Sequence, residues 1–235
     1  MSPRFAVCSA ILAGAGVACG DGMVVDKVYH PYVNAMEQEV EWRTTFQTRQ
    51  RNRPDNFIVH QFAYGRALDD RWFAELYVIA EESADDALEV NAYEAELLWQ
   101  VTEQGEYSAD YGWLFELETE KGMDAWEFST GAVVEKEFRN WSATGNLLIA
   151  YEWGDDIQAE VDTSLALQAR YRYSPRLEPA LEFYAGEDTV AAGPVFLGQL
   201  TTGPGRRWNW EAGVLWGLDN KSPDLSVRLL LDFEF

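Results

Sequence analysis

Apolar and polar residues alternate one by one over long stretches of this chain, and this period of two constrains its fold more than any other feature. In the final segment, 225–235, every odd-numbered residue is apolar, and four of the five even-numbered residues between them are polar. Similar alternation runs through 108–118, 141–153, 161–173 and 208–218. Because successive side chains of a β-strand point to opposite faces, the pattern predicts strands with one apolar and one polar face.

Turn-forming residues divide the chain into twelve predicted strands of mostly about 10–13 residues, longer than the five or six usual in soluble sheets. The predicted strands are 38–50, 57–68, 71–82, 88–102, 108–118, 126–135, 141–153, 161–173, 177–186, 191–200, 208–218 and 225–235. Pro179 and Pro194 interrupt two of them, so ten strands is the alternative. An even number of strands with short connections predicts an all-β fold, a transmembrane antiparallel up-and-down β-barrel.

The composition excludes several other classes of protein. The chain has 235 residues, with 18 Lys+Arg against 40 Asp+Glu, and its net charge of -22 argues against a nucleic-acid partner. An aromatic content of 14% argues against an acidic disordered chain. The mean hydropathy of -0.29 excludes a polytopic helical membrane protein.

The alternative to a membrane barrel is a soluble β-sandwich or lipocalin-like barrel, which also alternates. Aromatic residues at strand ends favour the membrane, where they form girdles at the two interfaces. The predicted girdle residues are Trp42, Trp72, Trp99, Trp126, Trp141, Trp153, Tyr173 and Trp208.

The first twenty residues differ in composition from the rest. Arg4 precedes a run of small and apolar residues, 5–18, which is typical of a secretory signal peptide and is too short to span a bilayer as a helix. We therefore predict three parts: a signal peptide (1–20), a periplasmic N-terminal segment (21–37) that is a tail or a short inward plug, and the barrel (38–235). Cleavage after Gly20 would remove Cys8 and Cys19, although Cys19 is also a candidate for lipid attachment.

The last strand carries a resemblance to a known class. Its sequence is Leu225-Ser-Val-Arg-Leu-Leu-Leu-Asp-Phe-Glu-Phe235. With the signal peptide, it resembles a Gram-negative outer-membrane β-barrel protein, and loosely the phenol-degradation transporter-like barrels through Tyr64-Gly-Arg-Ala-Leu-Asp-Asp-Arg-Trp72. The resemblance implies a location in the cell outer membrane, contact with lipid and lipopolysaccharide, and recognition by the barrel-assembly machinery through Leu229, Leu231, Phe233 and Phe235.

Charged residues on the polar faces are predicted to line the lumen. They are Glu41, Arg43, Glu75, Glu94, Glu96, Glu116, Glu118, Glu152, Arg170, Arg172, Glu178, Glu182, Glu211, Arg228 and Asp232. Acids outnumber bases in this set, so an open lumen would favour cations. The alternative is a lumen filled by ion pairs, for which we predict Arg172 opposite Glu178 across the turn at 174–176. Acids in the loops, such as Asp85 and Asp155, are expected to be solvated rim residues, or to bind cations that bridge lipopolysaccharide.

No pattern indicates a catalytic, cofactor or metal site. The two histidines, His30 and His60, are not accompanied by a hydrolase, metalloprotease, nucleotide-binding or dinucleotide-binding motif. We therefore predict a narrow channel or transporter for small solutes and not an enzyme. The alternatives are a structural or assembly barrel with a plugged lumen and a protein partner and, as a minor one, an outer-membrane hydrolase that uses His60.

Overall fold

The computed structural model describes residues 24–48, 56–83 and 86–235, which form a closed antiparallel barrel of twelve strands. The strands are β1 (Gln38–Gln47), β2 (Phe57–Ala67), β3 (Trp72–Glu82), β4 (Glu89–Gln100), β5 (Asp110–Glu120), β6 (Trp126–Phe138), β7 (Trp141–Trp153), β8 (Glu160–Tyr171), β9 (Glu178–Ala185), β10 (Val190–Gly203), β11 (Arg206–Gly217) and β12 (Leu225–Glu234). The predicted all-β, twelve-stranded antiparallel barrel is confirmed. No helix in the described ranges has the length and apolarity to cross a membrane.

Each strand pairs with its neighbours in sequence, and β1 closes the barrel by pairing with β12, with Trp42 opposite Leu231. Pro179 and Pro194 both lie within the β9–β10 ladder, opposite Phe196 and Leu181, so these prolines do not reduce the strand number to ten. We call the end with Gln38 and Glu234 the terminal rim and the opposite end the far rim. Because the barrel is closed, every strand forms backbone hydrogen bonds with a neighbour on each side. A sheet in lipid needs this, since lipid offers its backbone groups no partner.

The two faces of each strand separate as the alternation predicts. On β7, Leu147 and Ile149 point outward and are more than half exposed, whereas Thr144 and Asn146 are buried inside. An apolar outer surface and a polar interior are the arrangement of a barrel that contacts lipid.

Aromatic pairs lie at both rims. Trp72 stacks on Trp99 with ring centroids 5.4 Å apart at the terminal rim, and Tyr151 stacks on Trp153 at 5.6 Å at the far rim. The prediction that Trp42 belongs to an aromatic girdle at a strand end is wrong. Trp42 lies in the middle of β1, where its ring stacks on that of His60 with centroids 6.4 Å apart.

Several sequence predictions fall outside the described residues. They concern the signal peptide (1–20) with Cys8 and Cys19, the next residues (21–23), the end of the first predicted strand (49–50) and Asp85. Residues 24–37 are described: 24–33 lie inside the barrel, and 34–36 form an exposed turn at the rim where β1 begins.

Candidate functional site: the barrel lumen

Residues 24–37, here called the inner segment, run through the lumen from the far rim to the terminal rim. At the far rim Val24 packs against Gly186, where an added Cβ would lie 2.7 Å from the valine side chain. At the terminal rim the carbonyl of Glu37 accepts a hydrogen bond from the amide of Ala67 at 2.8 Å, directly before β1 begins. The chain therefore crosses the whole pore before it enters the barrel wall.

Apolar contacts anchor the inner segment at two levels. Near the far rim, Val25 and Val28 pack with Tyr184, Ala191 and Leu215. Nearer the terminal rim, the ring of Tyr29 belongs to a second cluster. Its other members are Ala67, Phe73, Leu98, Leu114 and Val133, with Val33 packed against it. Burial of these side chains provides much of the attraction between segment and wall.

The backbone of Tyr29 is held by the side chain of Asn146. The amide of Tyr29 donates to Asn146 Oδ1 at 2.8 Å, and the Tyr29 carbonyl accepts from Asn146 Nδ2 at 2.9 Å. The phenol of Tyr29 donates towards Glu96 at 2.8 Å and Glu116 at 3.1 Å. A segment without regular secondary structure must satisfy its buried backbone groups in this way.

Further polar contacts continue towards the terminal rim. The ring of His30 lies 2.6 Å from Glu135 through Nδ1, the phenol of Tyr32 donates to Asp110 at 2.9 Å, and the amide of Val33 donates to the side chain of Gln100 at 2.7 Å. The inner segment therefore contacts the wall along its length.

One side of the lumen, which we call the paired wall, holds two buried arginines and the acids that they contact. Arg228, with 0% of its surface exposed, lies 3.0 Å from both Glu182 and Glu211. Arg43 lies 2.8 Å from Asp26 of the inner segment and 3.3 Å from Glu41.

Further contacts of Arg228 and of Lys27 complete this network. Arg228 also donates to the phenol of Tyr184 and to the carbonyl of Asp26. Lys27 of the inner segment lies 3.4 Å from Glu41 and 3.2 Å from Glu75, and donates to the phenol of Tyr77 at 2.6 Å. The acids of the paired wall thus face cations held at short range.

The other side, the acid wall, consists of Glu94, Glu96, Glu116, Glu118 and Glu127 on β4, β5 and β6. Glu94 is directly opposite Glu118, Glu118 is opposite Glu127, and Glu96 is opposite Glu116. Within the described ranges, no basic side chain forms a hydrogen bond or ion pair with Glu94, Glu118 or Glu127. Carboxylates directly opposite one another repel when both are charged, and these three have no ion pair among the described residues to offset that repulsion.

A cavity of about 390 Å³ lies beside the inner segment in the terminal half of the lumen. Its walls carry Lys27, His30 and Arg170 against a larger set of acids. These acids are Glu37, Glu39, Glu41, Glu75, Glu96, Glu178, Glu211, Asp232 and Glu234. Its size suits a small solute, and acidic side chains outnumber basic ones in its lining.

The structure places the predicted charged residues at several points of the lumen. Glu41, Arg43, Glu75, Glu182, Glu211 and Arg228 meet around the inner segment, whereas Glu94, Glu96, Glu116 and Glu118 form the acid wall, with Glu152 opposite Glu127 in register. Glu178, Arg170 and Arg172 lie towards the terminal rim, and Asp232 is buried beside Asn209. Leu229, Leu231, Phe233 and Phe235 lie on the outer face, where recognition by the assembly machinery stays a prediction.

The predicted pair of Arg172 with Glu178 is wrong. Arg170 lies 3.5 Å from Glu178, whereas Arg172 reaches across β7 to Glu137 at 2.6 Å. The ladder of β8 with β9 ends at Arg170, and an isolated bridge between Ser174 and Leu177 follows it. The connection therefore does not extend the register to Arg172.

Sequence reasoning missed the residues that hold the inner segment, chiefly Tyr29, Asn146 and Gln100. Its only signal was the run Val24-Val-Asp-Lys-Val-Tyr-His-Pro-Tyr-Val33, in which apolar residues alternate irregularly with Asp26 and Lys27. Such a run indicates that the segment is buried, but it does not indicate which residues of the barrel wall contact it.

Comparison with known proteins supports the class of fold. No protein-family model and no curated protein matches the sequence. Among solved structures, an outer membrane channel from Pseudomonas putida F1 matches with a TM-score of 0.57 and 13% identity, covering 90% of this chain and 100% of that one. The NanC porin matches with a TM-score of 0.55 and 9% identity, covering 83% of this chain and 98% of that one. The chain therefore has the fold of outer-membrane β-barrel channels and porins.

Proposed function

We propose that this protein is a narrow channel for small solutes in the Gram-negative outer membrane, and that it favours cations. The observation that carries the proposal is the acid wall, on which Glu94, Glu118 and Glu127 stand in one transverse row of the lumen. Rings of carboxylates lower the energy of cations in a pore and raise that of anions. The fold shared with channels and porins supports transport as the general role.

The inner segment determines how narrow the pathway is. It occupies the lumen from rim to rim, and the cavity of about 390 Å³ lies beside it. Solutes would pass between the segment and the wall, so the conductance is expected to be small compared with that of a 16-stranded porin. We place the terminal rim in the periplasm, because it carries two-residue turns at 139–140 and 204–205, and short turns face that side.

One observation favours a second candidate, a structural barrel whose lumen is plugged. The contacts of Tyr29, Asp26 and Lys27 hold the inner segment in place at several levels. A barrel filled in this way would act through a protein partner rather than by conduction. A hydrolase is not favoured: His30 contacts Glu135, and His60 lies on the outer face beside Trp42.

Conductance in planar bilayers tests the proposal. In a gradient of KCl, we expect a small conductance whose reversal potential lies on the side of the potassium equilibrium potential. The triple variant Glu94→Gln/Glu118→Gln/Glu127→Gln should move the reversal potential towards zero, because it removes the charge of the row while keeping its size.

The matched control is Glu103→Gln/Glu106→Gln, which removes two exposed charges from the terminal-rim turn 101–109. Its reversal potential should stay close to that of the unmodified protein, since exposed charges are screened by salt. A channel that prefers chloride would contradict the cation preference, and the absence of any conductance would favour the plugged barrel.

A further inference from the structure

Three carboxylates meet at the seam where β1 closes on β12. Glu37 directly precedes β1, and Glu39 of β1 is opposite Glu234 of β12. One carboxylate oxygen from each residue lies within 4.8 Å of the other two. Three acids at this separation repel one another unless a cation or protons neutralise them.

Neighbouring side chains neutralise only part of the charge of these three carboxylates. Arg207 donates through Nε to Glu234 at 2.9 Å, and its Nη2 lies 3.8 Å from Glu37. Asn209, which is neutral, donates to Glu234 and Asp232. The side chain of Asn34 also donates to Glu37, whereas the side chain of Glu39 makes no hydrogen bond or ion pair with another described residue. Arg207 therefore contacts two of the three carboxylates, Glu234 and Glu37.

Asp232 provides an independent observation beside this cluster. Its side chain is buried, with 6% of its surface exposed, and it lines the same cavity as Glu37, Glu39 and Glu234. Its Oδ2 accepts from Asn209 at 2.7 Å, whereas its buried Oδ1 has no hydrogen-bond partner among the described residues. A buried carboxylate oxygen left without a partner is costly, so this one calls for a cation or a proton.

We propose that a divalent cation, Ca²⁺ or Mg²⁺, binds between Glu37, Glu39 and Glu234, with Asp232 as a fourth oxygen donor, directly or through water. Carboxylate oxygens are the preferred ligands of both ions, and Ca²⁺ lies about 2.3–2.6 Å from its ligands, so oxygens within twice that distance can share one ion. Because Glu37 and Glu39 flank the start of β1 and Glu234 ends β12, the ion would hold the seam of the barrel closed.

Isothermal titration of the refolded full chain in detergent, first stripped with EDTA and then titrated with CaCl2 or MgCl2 at pH 8, tests the site. We expect one equivalent of ion to bind, and Glu39→Gln to weaken the binding by at least tenfold. Arg207→Gln should strengthen it, because the guanidinium competes with the ion for Glu37 and Glu234. A merely structural arginine would not produce that gain.

The control is Glu103→Gln, which removes one exposed acid from the terminal-rim turn 101–109 and should leave the affinity unchanged. Asp232→Asn provides a second test if Glu39→Gln fails to fold, as judged by heat-dependent gel mobility. The proposal is overturned if neither the unmodified protein nor Arg207→Gln binds either ion, which would mean that protons neutralise the cluster. It is also overturned if Glu39→Gln binds as tightly as the unmodified chain. Conductance measures a different property, so failure of one proposal is distinguishable from failure of the other.

Discussion

The paired wall and the acid wall line the same lumen, yet their carboxylates are neutralised very differently. On the paired wall, Glu182 and Glu211 share Arg228, and Asp26 faces Arg43 at 2.8 Å. On the acid wall, Glu118 stands between Glu94 and Glu127 with no basic side chain bonded to any of the three in the described ranges. The paired wall is therefore held together by ion pairs with buried cations, whereas the acid wall is not.

The inner segment explains why the two sides differ. Its Asp26 and Lys27 complete the ion pairs of the paired wall. Towards the acid wall it presents the phenol of Tyr29, which hydrogen-bonds to Glu96 and Glu116, and the charge of Lys27 acts on these two acids without forming an ion pair. A buried charge network is stable only when all of its members have partners.

The largest effect is expected from Arg228→Met on the paired wall. The change leaves Glu182 and Glu211 buried without their cation, and removing one partner of a buried ion pair costs about 3–5 kcal/mol. We expect a matching loss in the free energy of unfolding, measured by urea titration of the protein folded in lipid vesicles.

The double variant Arg228→Met/Glu182→Gln sharpens this test. It removes one of the two orphaned charges, so it should recover part of the lost stability. If Arg228→Met alone were as stable as the unmodified protein, the ion-pair network would not be what holds the barrel together. The paired wall and the acid wall would then not differ in their contribution to stability.

The second largest effect is expected from Asn146→Ala, which releases the backbone of Tyr29. Two hydrogen bonds are lost and two buried backbone groups are left unsatisfied, at a cost of about 1–3 kcal/mol for each group. Displacement of the inner segment should widen the pathway, so single-channel conductance is expected to rise several-fold. Ser164→Ala on the neighbouring strand is the control, and a conductance equal to that of the unmodified channel would show that the segment does not limit flow.

On the acid wall, a neutral substitution should stabilise the protein slightly. Glu118→Gln removes like-charge repulsion with Glu94 and Glu127, which is worth about 0.2–1 kcal/mol for each opposed pair. The free energy of unfolding should therefore rise, in contrast to the loss expected for Arg228→Met. A clear loss of stability would instead indicate that Glu118 has a partner that neutralises it.

The alternation of side chains made the strands and their two faces predictable, down to the inward position of Glu94 and Glu118. The long-range contacts were not predictable. Tyr29 and Asn146 are 117 positions apart, and nothing local marks them as partners. The pair of Arg172 with Glu178 failed because it assumed a regular register through a connection that ends the ladder, and because a long arginine side chain can reach Glu137 on β6 instead.

The smallest effect is expected outside the lumen, from Lys221→Met in the far-rim turn 218–224. Lys221 lies 3.1 Å from Asp188, and the hydrogen bond that it donates to that carboxylate raises the pKa of the lysine. Both side chains are substantially exposed, and exposed ion pairs contribute little because water and salt screen them. We therefore expect Lys221→Met to leave the urea midpoint of unfolding unchanged within error, whereas Arg228→Met should lower it strongly. An equal loss in the two variants would show that burial is not what makes the paired wall strong.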